Sequence, residues 1–215
     1  MSVYKIHITL QDFSLSKISR VVVADGNCTF FDLHYAICQM MGFGGYHLWD
    51  FEYRSRDQIQ MKILCPQEDE STGDIRGWSM AVPASAIDTY QSIDTTLDQI
   101  LPQYPKLLYC YDYGDDRRFE IKAQETDDAI HKGTIKCVQT SGGQVIEDCG
   151  GVEGLTDRIQ LHQAGKWDRE SFDTQKEFAN ALKPYITPYK IGPLKDSRHY
   201  HQSIIKMLKD DRHEL

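Results

Sequence analysis

The most constraining stretch of this chain is Val3–Leu10, where apolar and polar residues alternate with few exceptions. Tyr4, Ile6, Ile8 and Leu10 fall on one side, and Val3, Lys5, His7 and Thr9 on the other. A period of two sends one side of an extended chain into a core and the other toward water, so the segment reads as a half-buried strand that needs partners. The polar turn QDFSLSK and the run ISRVVVADG supply the first, a second strand closed by Asp25 and Gly26. So short a link favours an antiparallel hairpin.

The period then changes. In CTFFDLHYAICQMMGF, Phe30, Leu33, Ile37 and Met40 or Met41 recur at helical spacing between a Thr29 cap and a Gly42 stop. The apolar face of this helix should lie on the hairpin. YHLWDFEYRS and QIQMKILCP read as further strands, the second ending at Pro66, and the acidic QEDESTGDIRG reads as a surface loop. WSMAVPASAID suggests a short strand, and DTTLDQIL a helical turn capped by Asp94 or Thr95. In YCYDYGDDRRFEIK, strands over 107–113 and 119–123 flank a turn at Asp115 and Asp116. This order predicts an α+β fold: a β-grasp, ubiquitin-like type of mixed sheet with one main helix.

Beyond about residue 125 the character shifts. TIKCVQTSGGQVIEDCGGVEGL is rich in Gly, and EGLTDRIQLHQAG and FDTQKEFANALKPY read as amphipathic helices. The last stretch, from ITPYK onward, ends as a charged helix. The expected organisation is a core over 1–125 and, over 126–215, a Gly- and Cys-containing loop with a helical extension packed on that core.

Composition excludes some classes of function. The 215 residues are 40% hydrophobic and 26% charged, with no apolar run near the roughly 20 residues of a membrane span. The opening residues read as a strand instead of a signal peptide, so a cytoplasmic location is expected. A net charge of −8 argues against broad electrostatic binding to nucleic acid. Cys28, Cys38, Cys65, Cys110, Cys137 and Cys149 are scattered without a Cys-x-x-Cys pair and are expected as reduced, buried thiols.

No phosphate-loop, dinucleotide, nucleophile-elbow or zinc-protease signature is present. Several groups could still carry chemistry. Asp112, Asp115 and Asp116 could offer oxygen ligands to Mg²⁺ or Ca²⁺, although Asp and Gly equally suit a tight turn without metal. Cys137 and Cys149, with Glu147 and Asp148, could hold a metal only with further ligands such as His131 or His34. The plainer reading is two buried cysteines fixing a Gly-rich loop. His34 is a general-base candidate, or a buried histidine bonded to backbone or carboxylate. His47, beside Trp49, is a weak ligand signal. Tyr111, Tyr113, Arg117 and Arg118, with Arg20, Arg54, Arg56 and Lys62, could form a base-stacking sheet face, or an ordinary solvated one. The tail carrying His199, His201 and His213 reads as a solvated helix, or one that binds a partner.

YKIHITL, TFFDLHYAICQMMGFGGYHLWDFEY, LLYCYDYGDDRRFEI, IEDCGGVEGL and FDTQKEFANAL together resemble the Ri-plasmid ORF-3-like family, whose relatives also occur as passenger proteins of insertion sequences. Its signatures fall on Leu33 and His34, on Met41 to Phe43, on His47 to Phe51, on Tyr111 to Asp115 and on Glu147 to Gly151. Ser19 and Arg20 stand where the family has Trp-Arg-Arg. Arg117, Arg118 and Phe119 replace an aromatic followed by His, and Val145 and Ile146 replace paired prolines. The resemblance implies no established activity and a link to plasmid or mobile-element biology. We therefore expect a non-enzymatic binding or adaptor module with an unknown protein or nucleic-acid partner, no membrane association and no cofactor, a divalent metal ion being the one group left open. The alternative is a metal-dependent hydrolase or nuclease using Asp112, Asp115, Glu147 and Asp148, with His34 as base or ligand.

Overall fold

The computed structural model describes residues 2–68, 75–77 and 87–197. Most of WSMAVPASAID and the tail from residue 198 lie outside the described residues, and with them the expectations of a strand and a terminal helix there.

Strands β1 (Val3–Leu10) and β2 (Ser19–Asp25) form the expected antiparallel hairpin, with Val3 opposite Asp25 and Thr9 opposite Ser19. Tyr4, Ile6, Ile8 and Leu10 are the buried set, as the period of two requires. Helix α1 (Phe30–Met41) begins at a reciprocal capping box: the Thr29 hydroxyl accepts from the Asp32 amide, and the Asp32 carboxylate accepts from the Thr29 amide. Such a cap contributes about 1 kcal/mol. The helix ends at Gly42, whose φ of 88° is left-handed and whose amide returns to the Cys38 carbonyl.

Strands β3 (Trp49–Ser55) and β4 (Gln58–Leu64) form a second hairpin. The acidic stretch read as a loop instead supplies a two-stranded ribbon, β5 (Pro66–Glu68) with β6 (Ile75–Gly77). Its backbone pairs locally, a property composition does not encode. β7 (Asp88–Gln91) runs parallel to β4. The short α2 (Leu97–Ile100) starts at Thr96, whose amide is taken by the Gln99 side chain, in place of the expected Asp94 or Thr95.

β8 (Lys106–Tyr111) stops two residues earlier than the alternation suggests, because Asp112 enters the left-handed region at φ 59°. β9 (Arg117–Glu125) returns from the turn. β10 (Ile135–Ser141) follows, then α3 (Gly151–Gln163) and α4 (Gln175–Ile186).

Among the described residues the main sheet has eight strands in the order β10, β2, β1, β9, β8, β3, β4, β7. It is mixed, since β4 and β7 are parallel while the other pairs are antiparallel. An α+β fold with a mixed sheet is therefore what forms. β1 lies between two antiparallel partners, a pairing that does not establish the finer β-grasp arrangement. β10 lies past residue 125 and still forms an end of this sheet, with a bulge between Cys137 and Gln139. Leu155 and Ile159 of α3 join the core cluster containing Ile6, Leu33, Phe51 and Phe119. Each such side chain stabilises the fold by about 1.5–3 kcal/mol.

Arg20 shows how tightly the segment after β10 is tied in. Its guanidinium is wholly buried and donates to the carbonyls of Ser19, Met40, Ser141 and Gly143. Burial lowers its pKa to about 10. It is thus a strut between α1 and the loop after β10, and no part of a base-stacking face. Among the described residues no helix is long and apolar enough to cross a membrane.

Candidate functional site

Three loops meet at one end of the sheet: residues 42–48 after α1, the turn 112–116 between β8 and β9, and residues 142–150 before α3. Backbone bonds bring them together. The Val145 amide donates to the Met41 carbonyl at 2.8 Å, and the Asp112 amide to the Leu48 carbonyl at 2.9 Å. Carboxylates finish the joint. Glu147 accepts from the Gly44 amide at 2.8 Å and from the Tyr111 hydroxyl at 2.5 Å. Asp115 accepts from the amides of Cys149 and Gly150 at 3.1 and 3.2 Å, and pairs with Arg117. Gly151 is needed here: its φ is 68°, and a Cβ would come within 2.4 Å of the Asp115 carbonyl oxygen.

The electrostatics follow from these partners. Burial pushes the Asp115 carboxyl upward, but Arg117 and the amides of Gly151 and Cys149 outweigh it, so the net shift is downward. Burial raises the Cys137 and Cys149 thiols despite the nearby arginines Arg20 and Arg117.

Several expected site residues prove to be internal. His34 is 1% exposed, stacks on Trp49 at 3.9 Å and bonds through Nδ1 to the Tyr109 hydroxyl at 2.8 Å. Burial lowers its pKa to about 3. It belongs to neither group of close metal-ligating side chains among the described residues, and its Nδ1 partner is a phenol where backbone or carboxylate was expected. Tyr111 is buried and stacked on Phe43 at 4.4 Å, and Arg117 is buried beside Cys149, so neither offers a face to a base. An aromatic strand next to a turn reads the same whether its rings face the core or solvent. Tyr113 is exposed and donates to Asp50 at 2.7 Å, while Arg118 pairs with Asp116 at the surface.

Cys137 and Cys149 do not form a shared site. Both are free and buried, and Cys137 donates to the Gln139 carbonyl while Cys149 contacts Arg117. Neither belongs to a group of three close metal-ligating side chains among the described residues. Two such groups occur there. One is Asp50, Glu52 and Cys110; the other is His47, Asp112 and Asp148. In the first, Lys62 Nζ already lies 2.6 Å from Asp50 and 3.3 Å from Glu52, an internal cation for both carboxylates. Burial raises the Asp50 carboxyl, whereas Arg54 and Lys62 overcome burial to lower Glu52.

The second group joins all three loops. His47 lies between two carboxylates, with Nδ1 3.6 Å from Asp112 Oδ1 and Nε2 3.2 Å from Asp148 Oδ1. Sequence reasoning undervalued His47. Its one usable signal was the His-Leu-x-x-Phe pattern, because nothing local shows which carboxylates will face it.

A family model described as plasmid pRiA4b ORF-3-like protein matches residues 2–185. The chain belongs to this family. The His47 to Phe51, Tyr111 to Asp115 and Glu147 to Gly151 stretches that carry the ORF-3-like resemblance are the ones that converge here. No curated protein matches the chain. A crystal structure of a protein of unknown function, MM3350 from Methanosarcina mazei Go1, is similar in fold. Its TM-score is 0.56 at 20% identity, and the alignment covers 89% of this chain and 94% of that one. That similarity extends the ORF-3-like chain's fold to a second protein and says nothing of activity.

Proposed function

We propose that this chain is a non-enzymatic binding module whose recognition surface is the end of the sheet where the three loops meet. One observation carries this reading: the inner and outer groups of the site divide their work. Tyr111, Asp115, Arg117 and Glu147 are committed to holding loops together. Tyr46, 65% exposed, with Asp148, Asp116 and Arg118 face solvent. An exposed tyrosine ringed by acids suits recognition, because it supplies a rigid apolar face with a polar rim.

The partner this surface fits is a basic protein segment. Of the charged groups that face solvent here, Asp116 and Asp148 carry two negative charges against the single positive charge of Arg118, so a phosphate backbone would be repelled and Lys- or Arg-rich peptide attracted. The family's plasmid origin is consistent with a partner in plasmid or mobile-element biology. The test is a peptide-display selection with wild-type protein and a Tyr46→Ala, Asp148→Asn double variant. Enrichment of basic peptides whose affinity falls with added salt and drops at least tenfold in the double variant is the expected result. No enrichment, or equal binding by the variant, would refute it.

A metal-dependent hydrolase or nuclease is the second reading, favoured by the His47, Asp112 and Asp148 grouping. Asp115 and Glu147 are already hydrogen-bonded in the loops, which leaves this version fewer ligands than the sequence suggests. Metal-dependent phosphodiester cleavage lost in Asp112→Asn would favour it over the binding module.

A further inference from the structure

We infer that His47, Asp112 and Asp148 form a binding site for a divalent transition-metal ion. The inference rests on an unmet demand in the interior. Asp112 is 6% exposed, and its Oδ1 accepts from the amides of Gly114 and Asp115 at 3.1 and 3.4 Å, while its Oδ2 is buried with no hydrogen-bond partner. His47 Nε2, though 3.2 Å from Asp148 Oδ1, also lacks a hydrogen bond of acceptable geometry. Buried polar atoms are nearly always partnered, so two orphans in one cluster point to a missing ligand.

The cluster is built to hold its shape. Asp112 and Asp148 both adopt left-handed backbone, with φ of 59° and 50°. The Tyr46 hydroxyl donates to Asp148 Oδ2 at 3.0 Å, an outer contact of the kind that orients metal-bound carboxylates. The His47 ring stands edge-on to Tyr111 at 5.6 Å. One ligand atom from each residue lies within 4.8 Å of the others. Bonds of about 2.0–2.2 Å require these atoms to close by roughly 1 Å, within reach of a side-chain rotation. Asp148, with 61% of its side chain exposed, provides the entry path.

Imidazole nitrogen with two carboxylates suits Zn²⁺ or Mn²⁺ better than the all-oxygen cations Mg²⁺ and Ca²⁺. The Asp50, Glu52 and Cys110 group makes the contrast, since Lys62 supplies its positive charge internally. Around His47, Asp112 and Asp148 no lysine or arginine ion pair to these carboxylates is present among the described residues. The site shares Asp148 and Tyr46 with the proposed recognition surface, while Asp112 and His47 belong to the metal site alone and so separate the two in the test.

The test is calorimetric titration of Zn²⁺ and Mn²⁺ into metal-stripped full-length protein, beside Asp112→Asn and His47→Gln variants checked by circular dichroism and thermal unfolding. Asn tolerates the left-handed backbone and keeps an acceptor for the turn amides. The expected result is one ion per chain in the wild type, an upward shift in Tm on loading, and at least tenfold weaker binding in each folded variant. Absence of saturable binding at millimolar metal, or binding unchanged in both folded variants, would overturn the site. Basic-peptide capture by a protein that binds no metal would leave the proposed recognition standing and remove this inference alone.

Discussion

His34 shows what burial does to a single titratable residue. Its pKa is lowered to about 3, against an ordinary value near 6.5. Between those limits the unfolded chain binds a proton that the folded chain refuses, so stability rises with pH across this window and falls as pH drops below about 6.5. From pH 7 to pH 5 the loss from this residue is about 2 kcal/mol, one RT ln 10 for each pH unit below the unfolded pKa. Urea unfolding of wild type and His34→Gln across that range would show it, with a flatter pH dependence expected in the variant. The ring should also show no NMR titration between pH 5 and 8. Little of this was visible beforehand: a histidine one turn from two phenylalanines reads alike whether it faces a cleft or, as here, stacks on Trp49.

At the scale of elements, the joint between the β8–β9 turn and the start of α3 makes the site. Asp115 is anchored on the amides that open α3, and Gly151 permits the approach. Gly151→Ala would put a methyl group against the Asp115 carbonyl at a left-handed position, so destabilisation should exceed about 1 kcal/mol. Hydrogen exchange should show the amides of Cys149 and Gly150 losing protection while those of β1 keep theirs. The elements themselves were largely legible. The alternation in Val3–Leu10 gave β1, and the Thr29 and Gly42 caps bounded α1 as expected. The β5–β6 ribbon was not legible, because composition marks polarity and not backbone pairing.

On the scale of the whole molecule, the sheet runs beyond residue 125. β10 pairs with β2, and Arg20 binds carbonyls of Ser141 and Gly143. A chain cut after residue 125 would leave that buried guanidinium with two of its four carbonyl partners, at a cost of roughly 1–3 kcal/mol for each unmet bond. It would also uncover Val22 and Ala24, which pack in the core. We therefore expect residues 1–125 to lack the cooperative thermal transition of residues 1–190, as read by calorimetry.

Periodicity, caps and turn residues are properties of neighbours in the chain, so the sequence by itself determined the helix α1, the hairpin β1–β2, the turn after β8 and the family. Tertiary structure alone decided that Tyr111 and Arg117 lie inside, that β10 extends the sheet and that His47 sits between Asp112 and Asp148. Those outcomes depend on which distant segments pair and pack, and the energy of such contacts is shared between residues up to a hundred positions apart.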